Sequence, residues 1–238
     1  MELFTTGGGI EVLLRWMHVF AGVTWIGVLY YFNFIQTPFF GSELGGTAKS
    51  AMTRGLVPNA LLWFRWGAMF TFLSGWTIVL YRWGHLGVPL DSAYMTSILT
   101  GGIMGTLMWF NVWFVIWPAQ QVVIANAEQV VGGGDPIPEA AARGGKAGMA
   151  SRTNTLFSIP MLFFMISAGN LGNLGGFLAA GNTMTYWLVA GAVILAVEAN
   201  GLAGNATTQK PLTSVSGTIH FGLATWAVLF LVGLLLNS

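Results

Sequence analysis

The sequence predicts an all-α fold: a polytopic transmembrane helical bundle of about six spans, with both termini outside. Three observations carry this. Hydrophobic residues make up 55% of the chain and charged residues only 7%, against about 25% charged in an ordinary soluble domain. Mostly apolar runs of roughly 20 residues, the length that crosses a bilayer, recur along the chain. Lysine and arginine also segregate. Lys49 and Arg54 follow the first run, Arg143, Lys146 and Arg152 the third, and Lys210 the fifth, whereas Arg82 alone lies in the opposite connections. That asymmetry places the first set in the cytoplasm and, with an even number of spans, both ends outside.

The elements follow in order. The N-terminal MELFTTGGGIEVLLRW has no basic stretch ahead of its apolar run, so it reads as a retained span rather than a cleaved signal peptide. The spans are placed at about 10–36, 60–82, 93–117, 153–172, 183–202 and 214–236, and 1–238 reads as a single integral membrane domain. Pro160 is expected to kink the fourth, which neighbouring helices tolerate in a membrane. The longest connection, 118–152, is expected on the cytoplasmic side. Within it, VVIANAEQVV reads as a helical continuation or an interfacial helix, VGGGDPIP as a linker, and PEAAARGGKAGM as weakly helical and broken by glycines. Most of the 11 tryptophans are expected in interfacial belts. Small residues recur at spacing four, at Gly67, Thr71 and Gly75 and at Gly101 and Gly105. Such ridges let helices approach closely, and a flat ridge also receives a planar cofactor.

Composition excludes several functions. A net charge of +1 gives no nucleic-acid footprint. With no cysteine there is no disulfide, cysteine-ligated zinc, iron–sulfur cluster or covalent c-type haem. No nucleophile triad, phosphate loop or pair of catalytic carboxylates is visible.

Ionisable groups inside a span are expensive and mark function or a partner. On the first span Arg15, His18, Gly22 and Trp25 share one helix face. With the N-terminus outside, His18 lies about 12 Å along the helix from residue 10, in the outer leaflet. Imidazole as iron ligand, arginine as propionate partner and glycine as clearance for the ring would suit haem b. The alternative is a histidine bonded to a neighbouring helix, with Arg15 snorkelling to the headgroups or pairing with Glu11. His85, in YRWGHLG, is a candidate second ligand at matching depth, or an ordinary loop histidine. His220 and Glu198 fall towards the inner side, where they either pair or mark a proton or quinone site. Asn111 and Arg65 are further inner-side polar groups.

Several segments together resemble one family. RWMHVFAGVTWIG, LLWFRWGAMFTFLSG, MWFNVWFVIWPAQQVV, SRTNTLFSIPMLFFM and HFGLATW are similar, in order, to the membrane domain of the bacterial membrane-bound urate oxidase (urate hydroxylase) family. The resemblance implies a multi-pass protein of the bacterial inner membrane. It favours Arg15, His18, Asn111, Arg152, Asn154 and His220 as functional positions. Together with the residues read above, the catalytic candidates are Asn111, Arg152, Asn154 and Glu198, and the candidate haem-iron ligands are His18, His85 and His220. In that family a C-terminal cytochrome c domain carries electrons away. No Cys-x-x-Cys-His motif occurs in this sequence, so the electron partner is expected to be a periplasmic cytochrome c or other membrane subunits.

The resulting expectation is an integral membrane redox protein that binds haem b, with quinone as a second cofactor candidate and membrane lipid as its surroundings. The alternatives are a non-catalytic subunit of a larger membrane complex, and a urate oxidase that works with a separate cytochrome c.

Overall fold

In a bilayer interior no water is available to bond free backbone groups, so an apolar chain satisfies them within helices. The computed structural model, which describes residues 7–171 and 182–236, consists of helices, turns and connections over those residues. We number the α-helices α1 (Gly7–Tyr30), α2 (Thr37–Phe40), α3 (Glu43–Leu80), α4 (Ala93–Phe110), α5 (Trp117–Val131), α6 (Ala140–Leu171), α7 (Thr183–Ala203) and α8 (Val215–Leu235). Among the described residues, five helical stretches are long and apolar enough to cross a membrane: Gly8–Phe40, Ala93–Val131, α6, α7 and α8. A multi-pass helical bundle fits this.

Some elements run further than the sequence pattern suggests. The span expected at 60–82 lies in α3, which begins at Glu43 and is 38 residues long. With Glu43, Lys49, Arg54 and Arg65 along its length it is not among the five most apolar stretches. The connection 118–152 is mostly a helical hairpin of α5 and the start of α6, leaving 132–139 as its turn. Gly144 and Gly145 do not break α6, because buried Ala140, Ala147 and Ala150 continue its packed face. An added Cβ at Gly144 would meet Val123 of α5 at 3.4 Å, so the glycine lets the two arms close up. α6 is continuous across Pro160. Residue 172, expected to end the fourth span, lies outside the described residues.

Two of the helical stretches contain a wider π-helical turn, Tyr31–Gln36 and Asn111–Ile116, and each is followed within two residues by a proline, Pro38 or Pro118. Proline has no N–H and its ring collides with the carbonyl four residues back. The wide turn relieves that collision without ending the helix. A third such turn, Tyr81–His85, closes α3 ahead of Gly87, whose φ of 65° suits only a residue without a side chain. Ser42, Ser92 and Ser214 cap α3, α4 and α8 by accepting from the amides of Gly45, Met95 and Gly217.

α6 is the centre of the bundle, in contact with α1, α4, α5, α7 and α8, while α1 packs along α3. The core joins Trp25 and Leu29, Leu61 and Phe64, Met104 and Met108, Leu156, Phe157 and Phe164, Tyr186 and Ile194, and Leu229. The outer surface is equally apolar, with Trp16, Phe20, Val23, Trp63, Phe70 and Leu73 exposed. Water does not favour such a surface and lipid does. The tryptophans divide differently from a simple belt. Trp25 is buried, and Trp109, Trp113, Trp117, Trp187 and Trp226 pack on the core.

Candidate functional site

A cavity of about 910 Å³ opens between α1, α3, α4 and α6, at the upper end of the range of small-molecule and cofactor pockets. Its wall is apolar apart from a few groups. His18, Gly22 and Trp25 come from α1, Thr71, Gly75 and Trp76 from α3, Gly102, Gly105 and Thr106 from α4, and Met161 and Met165 from α6; Arg15, Arg82 and Tyr94 lie at one end.

The glycine ridge of α3 serves two purposes. An added Cβ at Gly67 would sit 3.1 Å from the backbone nitrogen of Trp25, so Gly67 brings the two helices together. At Gly75 an added Cβ would sit 2.9 Å from Cε1 of His18, so this glycine makes room for the imidazole. The ring is then fixed by hydrogen bonding. His18 Nδ1 lies 2.9 Å from the carbonyl oxygen of Thr71 and 3.2 Å from Ser74 Oγ. A carbonyl can only accept, so Nδ1 carries the hydrogen and, in the neutral ring, Nε2 keeps its lone pair. Metal-binding histidines are oriented in this way.

At the end of the cavity Glu11 is shared by two guanidiniums. Arg15 Nε donates to its Oε1 at 2.7 Å, and Arg82 donates to the same oxygen from Nε at 3.0 Å and Nη2 at 2.6 Å. Arg82 also lies over the ring of Tyr94, 4.5 Å from its centroid. Two cations and one anion leave a net positive charge beside the cavity. Helical spacing makes the Arg15–Glu11 pair visible in the sequence, whereas Arg82 reads there only as a loop charge. The missing signal is the antiparallel packing of α1 on α3, which brings residues 71 apart together.

A second polar cluster lies outside the cavity lining. Asn111 Nδ2 donates to Asn154 Oδ1 at 2.9 Å and to Glu198 Oε2 at 3.2 Å, and Asn154 Nδ2 donates to the carbonyl of Met108 at 2.9 Å. Each residue comes from a different element: the π turn after α4, the middle of α6, and α7. These three catalytic candidates are therefore adjacent. Arg152 is not part of this network; its Nη1 donates to the carbonyl of Leu212 at 2.5 Å and ties α6 to the turn before α8.

The remaining candidates are separate. His85 stacks on Tyr81 with ring centroids 4.9 Å apart and does not line the cavity. His220 is exposed, with Nδ1 2.7 Å from the carbonyl of Ser216, and likewise lies off the cavity. Glu198 and His220 form no ion pair among the described residues; the partner of Glu198 is Asn111. Arg65 stacks on Trp117, 3.4 Å from the ring centroid. The sulfur-bearing side chains that face the cavity, Met161 and Met165, were not singled out by sequence, because a methionine in an apolar span has no distinguishing pattern.

Residues 83–199 match the family described as Urate oxidase N-terminal. This part of the chain is similar to a urate oxidase-related family, and the apolar helices fit a membrane urate oxidase-like protein. The urate oxidase-like segment contains Asn111, Arg152, Asn154 and Glu198, while Arg15, His18, Gly22 and His220 lie outside it. No curated protein and no solved structure matches the chain.

Proposed function

We propose that this chain is a membrane-embedded redox protein of the urate oxidase-related family, that it holds haem b in the α1–α3–α4–α6 cavity with His18 on the iron, and that it exchanges electrons with a periplasmic cytochrome c or another membrane subunit. The observation that carries this reading is the His18 ring: it lines a cofactor-sized cavity, and its Nδ1 is engaged by the Thr71 carbonyl, which leaves Nε2 as the nitrogen that would bind iron.

Iron held in a macrocycle needs one or two protein ligands, and His18 would supply one. The buried Trp25 Nε1, on a side chain of the cavity wall, has no hydrogen-bond partner. Haem b would supply one-electron transfer when bound. The chain's own residues do the rest. Thr71 orients His18 and Gly75 makes room for its ring. Gly102, whose added Cβ would meet nothing within 4 Å, keeps the α4 wall open, and Leu162 and Met165 supply apolar wall from α6. Arg15 and Arg82 would receive the propionates with charge-assisted hydrogen bonds.

A reduced-minus-oxidised absorption spectrum of the purified protein tests this. The expected result is a b-type band that His18→Ala abolishes and that His85→Ala and His220→Ala retain. The reading fails if the protein shows no haem band, or if the spectrum survives His18→Ala unchanged.

A further inference from the structure

The cluster of Asn111, Asn154 and Glu198 does not close its own hydrogen bonds. Both hydrogens of Asn111 Nδ2 are used, on Asn154 Oδ1 and Glu198 Oε2. Two acceptors remain with no donor, Asn111 Oδ1 and Glu198 Oε1, and both atoms are buried. Asn111 and Asn154 are 0% exposed and Glu198 is 7% exposed, so the cluster lies inside the bundle. Nearly all buried polar groups in folded proteins find a partner, and each exception calls for a cause.

Among the described residues no cationic side chain pairs with Glu198. The titratable groups on the elements around α7 are turned to other partners or lie at the surface. On α6, Arg152 donates to Leu212 O, and Arg143 and Lys146 are exposed. On α8, His220 is exposed and bonded to Ser216. On α4, Tyr94 lies beneath Arg82. On α7 itself, Tyr186 meets Thr100. Arg65 of α3, the cation nearest the π turn in sequence register, is stacked on Trp117. A bare carboxylate in this setting would be very unfavourable.

We propose that this cluster is a buried proton-binding site, in which Glu198 is held as the neutral carboxylic acid beside Asn111. One proton resolves both orphan atoms: on Oε1 it turns an acceptor into a donor, and it is the hydrogen that Asn111 Oδ1 lacks. A metal cation fits less well, because hard cations take about six oxygen ligands and the cluster leaves two side-chain oxygens free. The reaction is a simple protonation, carboxylate plus proton giving carboxylic acid, with no change in electron count. Asn154 acts as the positioning residue. It anchors to the Met108 carbonyl and fixes the Asn111 amide, so that its oxygen is the end left open. The wide turn that starts at Asn111 sets the rotation of that residue about the helix axis, a common feature of functional sites.

Infrared difference spectroscopy on the full chain in detergent, with glutamate carbon-13 labelled at the carboxyl, tests this without reference to haem. At neutral pH the wild type should show the carbonyl stretch of a neutral carboxylic acid that shifts with the label and in deuterated water. Glu198→Gln, which keeps the shape and the neutral charge, should fold and lose that band. Asn111→Leu should move the band to higher frequency, because the acid loses its acceptor. A neutral-acid band that is absent from the wild type, or that persists in Glu198→Gln, overturns the proposal. So does a band that disappears when sodium or potassium is added at constant pH, since the site would then hold a metal cation. Should Glu198→Gln not fold, the labelled wild type still decides: the proposal stands only if a label-sensitive neutral-acid band is present.

Discussion

Replacing Gly75 by alanine is the most direct test of how His18 is held. The new Cβ would sit 2.9 Å from Cε1 and 3.2 Å from Nδ1 of the imidazole. Carbon contacts are comfortable from about 3.5 Å, so the ring must withdraw by about 0.6 Å. It is not free to do so, since Nδ1 is held at 2.9 Å by the Thr71 carbonyl. Over-packing of this kind costs about 1–3 kcal/mol, while alanine in place of glycine inside a helix gains about 1 kcal/mol. The net change is a loss of about 0–2 kcal/mol. Gly55, on the same helix, supplies the control. Nothing lies within 4 Å of its added Cβ, so Gly55→Ala keeps only the gain. The two variants should therefore differ by about 1–3 kcal/mol, or roughly 2–12 °C in Tm for a chain of this size. Thermal unfolding of the detergent-purified proteins measures this directly, and the visible spectrum should change in Gly75→Ala alone. If Gly75→Ala is stabilised as much as Gly55→Ala, the ring does not pack against Gly75 and the account of how His18 is positioned is wrong.

Arg82→Ala should destabilise by about 1–2 kcal/mol and more than Arg15→Ala, because Arg82 contributes two bonds to Glu11 and lies over the Tyr94 ring, whereas exposed Arg15 contributes one i,i+4 bond to Glu11 and a long 3.5 Å bond to the Tyr94 hydroxyl; chemical denaturation of the two variants at low and high salt compares them, and equal effects would contradict the assignment. Asn154→Ala removes an acceptor from Asn111 and a donor from the Met108 carbonyl in a fully buried site. A loss of about 1–3 kcal/mol follows from the one group orphaned, the Asn111 amide hydrogen, because the Met108 carbonyl still accepts from the Asn111 backbone N–H; a Tm within a degree of wild type would mean that the cluster is not formed.

Much of the bundle is legible in the sequence because hydropathy is a local property. Residues 183–202 and 214–236 are apolar by composition, and α7 and α8 occupy nearly those ranges. The face shared by Arg15, His18 and Gly22 is legible for a related reason: helical spacing is local too, and all three line the cavity. The extension of α3 back to Glu43 was not legible, since KSAMTRG is polar enough to read as loop. There the helix is sustained by the Ser42 cap and by the buried Gly45, Thr53 and Val57. The pairing of Asn111, Asn154 and Glu198 was out of reach for another reason. The three are separated by 43 and 44 positions in the sequence, and no periodicity relates residues on different helices.

What the sequence by itself determined is the class of the molecule: an apolar chain must satisfy its backbone within helices and face lipid on its outside, and its few ionisable residues must have partners or tasks. The tertiary structure alone decided which partners. The antiparallel contact of α1 and α3 put Arg82 beside Glu11 and the Thr71 carbonyl beside His18. The packing of α6 on α4 put Asn154 beside Asn111, which also reaches Glu198 of α7. Side chains meet across helices only through packing, where small residues such as Gly67 and Gly75 set how near two backbones come, and that distance is a property of both helices together.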